Sequence, residues 1–360
     1  MSPKLTRRQV VIGASAALAA PIFIRNAYAA EEIVILTWEN YHEDDWIAEW
    51  TAKTGIKVKV VRAGGVDEMF AQTRTGAIEP DILFFDSGST QRYLNAGLIV
   101  PIDTAKIPNI SNITSGLKWQ AETTIDGKLY GVPYNWGSQP LMFDTDTVTS
   151  GTDSWDALWD PKYLGRVSMF DDCYVTFPMI ALKVGAKDPF NLTDSEFEAC
   201  AEALRTLRPN VKTMARGPND AEATLAAGDA VIGFCQNISI VFNLQNRGKP
   251  FNYSFPQQGT PIWFDGAAVT KKGDRSPSYE LINEGLSLAW QGRFINQFLQ
   301  NGILAESSAQ DAGLTTDALR KTNIVDQSKP GFWDKLVAYK NPEDIDRRLQ
   351  IWNDFKAGTL

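Results

Sequence analysis

Short, largely apolar segments alternate with amphipathic ones along the first part of the chain. Residues 32–38 and 81–85 are compact apolar runs, typical of buried parallel strands, and residues 56–60 alternate in polarity as a strand does. Helical spacing predicts helices over residues 41–54, 66–75 and 89–96. An alternation of strands and helices predicts parallel strands joined by right-handed crossovers.

The second part of the chain repeats this alternation. Strands are predicted at residues 167–170, 231–234, 252–255 and 267–270. Helices are predicted at residues 154–159, 193–207, 220–227 and 277–299, and the tail to residue 360 is expected to be mostly helical. No flexible linker separates the two parts. We therefore predict an α/β protein of two lobes, each a mostly parallel sheet flanked by helices, with a ligand cleft between them. We assign residues 30–137 and 265–306 to lobe 1, and residues 138–264 and 307–360 to lobe 2.

The first 29 residues have the pattern of an export leader. Arg7 and Arg8 precede an apolar run over residues 10–20, and the small residues Ala27 and Ala29 then suit a cleavage site. The apolar run is too short to span a bilayer. Residues 6–11 resemble a twin-arginine signal, with an ordinary general-secretion signal as the alternative. Either leader predicts a periplasmic protein, and the mature chain, without a long apolar run, is expected to be water-soluble.

The net charge of the chain excludes some classes of function. The chain has 360 residues, a net charge of −8 and one histidine. The leader carries four basic residues and no acidic residue, so its removal takes the net charge to −12. An acidic chain lacks the basic footprint of a general nucleic-acid binder or of a protein held to anionic lipid. We therefore expect no nucleic-acid partner and no attachment to anionic lipid by charge.

No enzyme signature is complete. The chain lacks the glycine-rich nucleotide motifs, the Gly-x-Ser-x-Gly elbow and paired metal-ligand spacings. Cys173 beside Asp172 is the one candidate nucleophile, and His42, expected at a solvated helix start, would have to be its base. The three cysteines leave open one disulfide or three buried thiols. We assign no catalytic residue, metal or cofactor.

Aromatic and acidic side chains recur where the predicted strands end or cross between lobes. Ligands of open α/β sheets bind at such positions. Carboxylates neutralise ammonium groups, and ring faces hold cations and methylene chains, so the combination favours a small cationic ligand. Taken singly, each tryptophan also fits a core position and each aspartate a helix cap. The candidate ligand contacts are Trp38, Tyr41, Asp86, Ser87, Trp136, Asp172, Trp263 and Asp265.

Several segments, in chain order, resemble the periplasmic spermidine/putrescine-binding proteins of bacterial ABC importers. They are residues 38–41, 54–58, 130–137, 154–165, 171–172, 208–211 and 263–265. The likeness runs from about residue 32 to residue 305. It implies a type II periplasmic-binding-protein fold, and a protein that captures a polyamine and delivers it to a permease of the inner membrane. We expect the protein to act as a monomer.

The resemblance carries over residue by residue. It implies that Trp38 and Tyr41 contact the ligand, that Asp172 binds an amine, and that Trp263 and Asp265 supply a ring and a central carboxylate.

Three departures from the family pattern concern the predicted pocket. Val175 stands where the family has glutamate. Cys235 or Gln236 stands where it has tryptophan, and the aromatic residue expected near residue 304 is absent. In addition, Asp86 stands where serine is usual.

Two alternatives remain at this point. One is the same fold binding another small solute, such as an aminophosphonate, an amino-acid derivative, a sugar or a metal chelate; the run Ser87–Thr90 is compatible with a phosphonate. The other is an exported enzyme that uses Cys173.

Overall fold

The computed structural model describes residues 32–360, so the predicted leader lies outside the described residues. The strands are β1 (Glu32–Thr37), β2 (Lys57–Arg62), β3 (Ile82–Asp86), β4 (Thr124–Ile125), β5 (Lys128–Leu129), β6 (Val132–Ser138), β7 (Leu141–Asp144), β8 (Val167–Phe170), β9 (Val211–Ala215), β10 (Ile232–Phe234), β11 (Phe251–Ser254), β12 (Thr260–Val269) and β13 (Leu336–Ala338). The helices are α1 (Asp44–Thr54), α2 (Val66–Arg74), α3 (Thr90–Asn95), α4 (Gln120–Thr123), α5 (Cys173–Lys183), α6 (Asp194–Leu207), α7 (Pro218–Ala226), α8 (Ser239–Asn246), α9 (Ser276–Gly285), α10 (Leu288–Phe298), α11 (Thr316–Arg320) and α12 (Ile345–Ala357). No helix in this part of the chain is long and apolar enough to cross a membrane.

The first sheet has the order β13-β12-β3-β1-β2. A sixth strand, β6, also pairs with β12, on the edge opposite β3. β1 runs parallel to β2 and β3, as the strand–helix alternation predicts. β12 returns antiparallel to both β3 and β6. The long strand β12 therefore joins the N-terminal parallel unit to the part of the chain that leads into the second sheet.

The second sheet has the order β11-β7-β10-β8-β9. β8 is parallel to β9 and β10, whereas β7 is antiparallel to β10 and β11. The expectation of mostly parallel sheets therefore holds for the first sheet, while the second is evenly divided between the two kinds of pairing.

Apolar side chains cover both faces of each sheet. In β3, Ile82 and Phe84 join one core while Leu83 and Phe85 join another, because successive side chains point to opposite faces. In β7, Leu141 and Met142 separate in the same way. Such two-sided burial explains why these strands read as continuous apolar runs.

The chain crosses between the two sheets three times. Gln139 and Pro140 link β6 to β7, residues 255–259 link β11 to β12, and residues 339–344 link β13 to α12. The segment 263–265 lies inside β12 rather than at a strand end or a crossing, because that strand is ten residues long and begins at Thr260.

The C-terminal part of the chain is shared between the two lobes. The predicted division placed residues 307–360 in lobe 2, but Ala318, Ile324 and Phe332 pack in the core of the first sheet, and β13 pairs with β12. Only α12 packs on the second sheet's helices, through Trp352 and Phe355. The tail carries less helix than its amphipathic spacing predicts, since several of its turns are 3₁₀ turns and β13 interrupts it.

Local signals account for the helix boundaries. Thr193 and Glu196 form a capping box at the start of α6, where the sequence predicts a helix beginning at residue 193. The predicted helix over residues 277–299 is two helices, since α9 ends at Gly285 and the Ser287 hydroxyl caps α10 through the N–H of Trp290. A serine cap inside an amphipathic run thus starts a new helix.

A buried carboxylate ties the first sheet to the turn after β12. Asp81 is fully buried and accepts a hydrogen bond from the main-chain N–H of Val34 at 2.8 Å. Two cations form ion pairs with Asp81: Arg275 at 2.8 Å and Lys272 at 3.4 Å. The two cations compensate a carboxylate that would otherwise be costly to bury.

We predict that Asp81→Ala lowers the free energy of unfolding by about 1–3 kcal/mol, because it leaves the main-chain N–H of Val34 and two partly exposed cations without their partner. Urea denaturation followed by circular dichroism measures this. Asp194→Ala is the matched control, because its ion pair with Arg347 is largely exposed and should be worth less than about 1 kcal/mol. Equal losses in the two variants would contradict this account of the buried site.

Candidate ligand-binding site

Three neighbouring strands of the first sheet, β3, β12 and β6, place three polar residues side by side. Asp86 is the last residue of β3, and Asp265 of β12 is its direct partner in the antiparallel register. On its other side Asp265 is paired with Asn135 of β6. Side chains of directly paired residues lie on the same face at close range, so the two carboxylates are neighbours.

This carboxylate pair, Asp86 and Asp265, is only partly exposed. Burial, and then the negative charge of Asp265, raise the pKa of Asp86 to about 7. Burial raises the pKa of Asp265 to about 7 as well, against the hydrogen bond from Tyr41, which lowers it. Among the ion pairs of residues 32–360, none involves either carboxylate. The described chain thus contains no cation to compensate them.

A hydrogen-bond network positions Asp265. The Tyr41 hydroxyl donates to Asp265 Oδ2 at 2.5 Å, and Asn135 Nδ2 donates to that hydroxyl at 3.1 Å. Asn135 is fully buried, and its Oδ1 accepts from the N–H of Gly302 at 2.9 Å. Asn135 Nδ2 also contacts Gln300 Oε1. Burial, and then the charge of Asp265, raise the pKa of Tyr41 well above its ordinary value, so Tyr41 stays a donor at neutral pH.

The turn after β1 brings Tyr41 to this network. Asn40 adopts φ 68°, a left-handed conformation that asparagine tolerates. Beyond it, the Tyr41 main-chain carbonyl accepts from the Tyr134 hydroxyl at 2.7 Å, and the two rings are 5.0 Å apart. Phe294 packs edge-on against Tyr41 at 5.6 Å. The tyrosine side chain is therefore fixed by packing before any ligand arrives.

Two indole rings and a serine lie near the carboxylate pair in the chain. Trp38 directly follows β1; it is half-buried, and its Nε1 has no hydrogen-bond partner. Trp263 precedes Asp265 by two residues, on the same face of β12, and its ring lies against Gly137. Ser87 follows Asp86, and its hydroxyl is buried without a partner.

The second lobe contributes Asp172 at the start of α5. Asp172 caps that helix by accepting from the N–H of Val175 at 3.1 Å, and burial raises its pKa. The charges of Asp172 and Asp86 both raise the pKa of Tyr339, after the larger effect of burial. Tyr339 therefore lies within electrostatic reach of acids from both lobes. The neighbouring Asp171 is paired with Lys356 at 2.7 Å instead.

The structure places Trp136 apart from the carboxylate pair. Its indole is almost fully buried, packed against Trp333 at 5.2 Å and against Phe332 at 6.4 Å between ring centroids. It follows Asn135 in β6 and so points to the opposite face of that strand. Its assignment as a ligand contact stays a prediction, and the geometry here favours a core role.

Comparison with known proteins identifies the family. The profile of the family described as bacterial extracellular solute-binding protein matches residues 45–322. The chain belongs to this family. The predicted family resemblance is thereby confirmed, and this solute-binding protein is a member of a transport family.

Two relatives and one solved structure resemble this solute-binding protein. The Escherichia coli (strain K12) spermidine/putrescine-binding periplasmic protein is 28% identical over 277 residues, or 75% of this chain and 77% of that protein. Spermidine/putrescine-binding periplasmic protein 1 of Haemophilus influenzae is 26% identical over 261 residues, or 71% of each chain.

The solved structure is the spermidine/putrescine ABC transporter substrate-binding protein PotD from Streptococcus pneumoniae. It superposes with a TM-score of 0.72 at 19% identity, covering 92% of this chain and 100% of that chain. This superposition confirms the predicted type II periplasmic-binding-protein fold.

The candidate cysteine and histidine lie in different lobes, since Cys173 packs in the core of the second sheet and His42 packs against Phe84 and Tyr134 of the first. Burial raises the pKa of Cys173 to about 12, so its thiol is protonated at neutral pH. His42, expected in solvent, is almost fully buried beneath Phe84 and Tyr134, and burial lowers its pKa to about 3. The residue lies in the core of lobe 1 because the turn at Asn40 folds it inward. Cys173, Cys200 and Cys235 are all buried and free, which answers the question of a disulfide.

Tyr339 and Gln300 are site residues that the sequence analysis did not find. Tyr339 follows the short strand β13, in a tail that was expected to be mostly helical. Its hydroxyl contacts Gln139 Oε1 and the main-chain carbonyl of Val175, so it links the first and third crossings to the second lobe. Neither residue sits in a motif, and only the folded chain brings them to the site.

The carboxylate pair predicts how the stability of the ligand-free protein depends on pH. A carboxyl whose pKa is raised in the folded state binds more protons folded than unfolded, so stability falls as pH rises from about 4 to 7 and is then constant. We predict that Asp265→Asn becomes more stable relative to the wild type across this range, by about 2–4 kcal/mol at pH 7. Urea denaturation at several pH values measures the difference.

Asp126→Asn is the matched control for this experiment. It removes the same charge from an exposed turn between β4 and β5, where Asp126 has φ 49°, a conformation that asparagine accepts. Its stability should differ from that of the wild type by less than about 0.5 kcal/mol, as is usual for an exposed substitution. If the difference in the free energy of unfolding between Asp265→Asn and the wild type stayed constant from pH 4 to 7, the pKa of Asp265 would not be raised in the folded protein.

Proposed function

We propose that this protein is the periplasmic solute-binding component of an ABC importer, and that it captures a small cationic amine, a polyamine such as putrescine or spermidine. The observation that supports this most strongly is the carboxylate pair, partly buried and without a cation from the described chain. An ammonium group in the cleft would supply the missing charge.

Electrostatics favour a cation over other ligand classes at this site. Removing a carboxylate from water is compensated only when the carboxylate is paired with a cation and hydrogen-bonded. Tyr41 and Asn135 already provide the fixed hydrogen bonds around Asp265. An aminophosphonate or another anion would add a third negative charge beside the pair. No cationic side chain of the described residues is paired with Asp86 or Asp265 to compensate that charge. A sugar would leave both charges uncompensated.

Aromatic side chains suit the hydrocarbon part of a polyamine. Trp38 and Trp263 are both half-buried, so each keeps part of its ring accessible. Ring faces attract ammonium groups and pack against methylene chains. Trp263 and Asp265 lie on one face of β12, so the same ligand can meet the ring and the carboxylate.

A third acid on the opposite lobe supports binding between the lobes. Asp172 caps α5 in lobe 2, whereas the carboxylate pair belongs to the first sheet. A polyamine with two cationic ends can contact both lobes at once, and such a contact would stabilise the closed arrangement of two hinged lobes. Val175 in place of the family's glutamate removes one acid from the lobe 2 wall. We therefore expect the relative affinities for putrescine and spermidine to differ from those of the relatives.

The names of the two relatives agree with this proposal, since both are described as binding spermidine and putrescine. Export by the twin-arginine pathway, release into the periplasm and delivery to an inner-membrane permease belong to the same proposal. They rest on the sequence of residues 1–29 and on the family. We propose that the mature protein acts as a monomer.

We predict that the mature, ligand-stripped protein binds putrescine or spermidine, and that Asp265→Asn weakens binding. Removing one member of a buried charge pair costs about 2–5 kcal/mol, which corresponds to a loss of affinity of about 30-fold or more. Isothermal titration calorimetry against polyamines, amino acids, aminophosphonates and sugars measures both effects.

Asp126→Asn again serves as the control with the same net charge, and it should bind as the wild type does. Binding of an anion or a sugar, with no binding of any amine, would refute the proposed ligand class. Unchanged amine affinity in Asp265→Asn would remove Asp265 from the site.

A second prediction concerns the position of the Trp263 ring. A β-carbon added at Gly137 would lie 2.3 Å from Cζ2 of Trp263, so Gly137→Ala must displace the ring. We expect polyamine affinity to fall about as far as in Trp263→Ala, with the overall fold kept. Calorimetry measures the affinity and circular dichroism the fold. A Gly137→Ala variant that binds normally, beside a weakened Trp263→Ala, would show that the ring's position is not critical.

A further inference from the structure

We propose that Asp86 acts together with Asp265 as a single clamp for one primary ammonium group, and that binding of the amine expels protons from this pair. This inference rests on the proposed function and adds to it a second acidic contact, a preferred form of amine and a coupling to pH.

The geometry places the two carboxylates where one ammonium group can contact both. They are direct partners across the β3–β12 pair and lie on one face of the first sheet. Asp265 Oδ2 accepts from Tyr41, and its other oxygen has no donor among the described residues. The carboxylates are therefore held in position but not saturated.

The number of free acceptors matches a primary ammonium group. Such a group has three N–H donors. The carboxylate of Asp86 and the free oxygen of Asp265 provide acceptors for these donors. A tertiary or quaternary ammonium group has one donor or none, so it would leave these acceptors unsatisfied.

The charged and titratable groups around the pair leave it without a cation. Tyr41, after β1, and Tyr339, after β13, stay neutral at pH 7 because burial raises the pKa of both phenols. Asp172 on α5 is a further acid. The cation Arg92 of α3 is paired with Asp67 of α2 at 2.6 Å. Lys340, whose main chain lies beside Gly88, directs its ammonium group to Glu122 of α4 at 3.9 Å. The main-chain N–H groups of Gly88 and Ser89 lie close enough to Asp86 to oppose the rise of its pKa, but they carry no full charge.

Two neighbouring carboxylates in these surroundings hold protons near neutral pH when the site is empty. An ammonium group favours the ionised form of both, so each proton displaced on binding passes to the solvent while the amine keeps its own charge. Affinity should therefore rise with pH between 6 and 8, with a slope equal to the number of protons released.

Asp86 distinguishes this site from the family pattern, in which serine is usual at this position. Asp86→Ser therefore converts the clamp into a single-acid site with a side chain that the fold accommodates. Because it relieves repulsion between the carboxylates, we expect the ligand-free variant to melt at a higher temperature than the wild type near neutral pH, which separates loss of binding from loss of folding.

The test is calorimetry of putrescine binding at pH 6.5 in phosphate and in Bis-Tris, whose ionisation heats differ, on the wild type, Asp86→Ser and the control Asp126→Asn. We expect the number of protons released per amine bound to fall by about half in Asp86→Ser, since one of two titrating carboxyls is removed. Affinity should fall at pH 8, and the preference for putrescine over its tetramethylated form should narrow.

The outcomes separate the clamp from the proposed function. Putrescine binding with equal proton release and equal affinity in Asp86→Ser and the wild type would overturn the clamp and leave the proposed function standing. Binding of no polyamine by the wild type would overturn both.

Discussion

Two carboxylates on paired residues of neighbouring strands are the constraint on which the binding site depends. Asp86 and Asp265 are fixed in register by β3 and β12, so neither can move away from the other without breaking the sheet. Burial and mutual repulsion make their ionised forms costly. The described chain compensates the fully buried Asp81 with two cations, yet it supplies none to this pair. The contrast indicates that the compensating charge comes with the ligand.

The remaining parts of the fold hold this site between two lobes. β12 carries Trp263 and Asp265, pairs with both β3 and β6, and begins just after one of the crossings. Lobe 2 presents Asp172 at the start of α5. Tyr339, at the third crossing, contacts Gln139 and Val175 and so connects both crossings to that helix. A change in the angle between lobes would act on these contacts directly, which links closure to the ligand site.

The sequence was sufficient for features that depend on neighbouring residues. Local patterns were sufficient to predict the buried strands β1 and β3 and the start of α6 at Thr193. They also identified Trp38 and Asp86 as residues at the ends of strands. Features that depend on distant pairing could not be read. Asp86 and Asp265 were candidates individually, but only the register of β12 makes them partners. β6 is wholly buried and β7 largely buried, so neither alternates in polarity, and they were not recognised as strands. His42 was misplaced because a single left-handed residue, Asn40, turns it into the core.

The most direct test of the account is to follow the ionisation of the two carboxylates themselves. Carbon-13 NMR of the aspartate side-chain carboxyls, assigned with Asp86→Ser and Asp265→Asn, reports their titration with and without putrescine. The account predicts that in the ligand-free protein both carboxyls titrate near pH 7, and that with saturating putrescine both remain ionised to lower pH. Titration of both near pH 4, unchanged by putrescine, would contradict it.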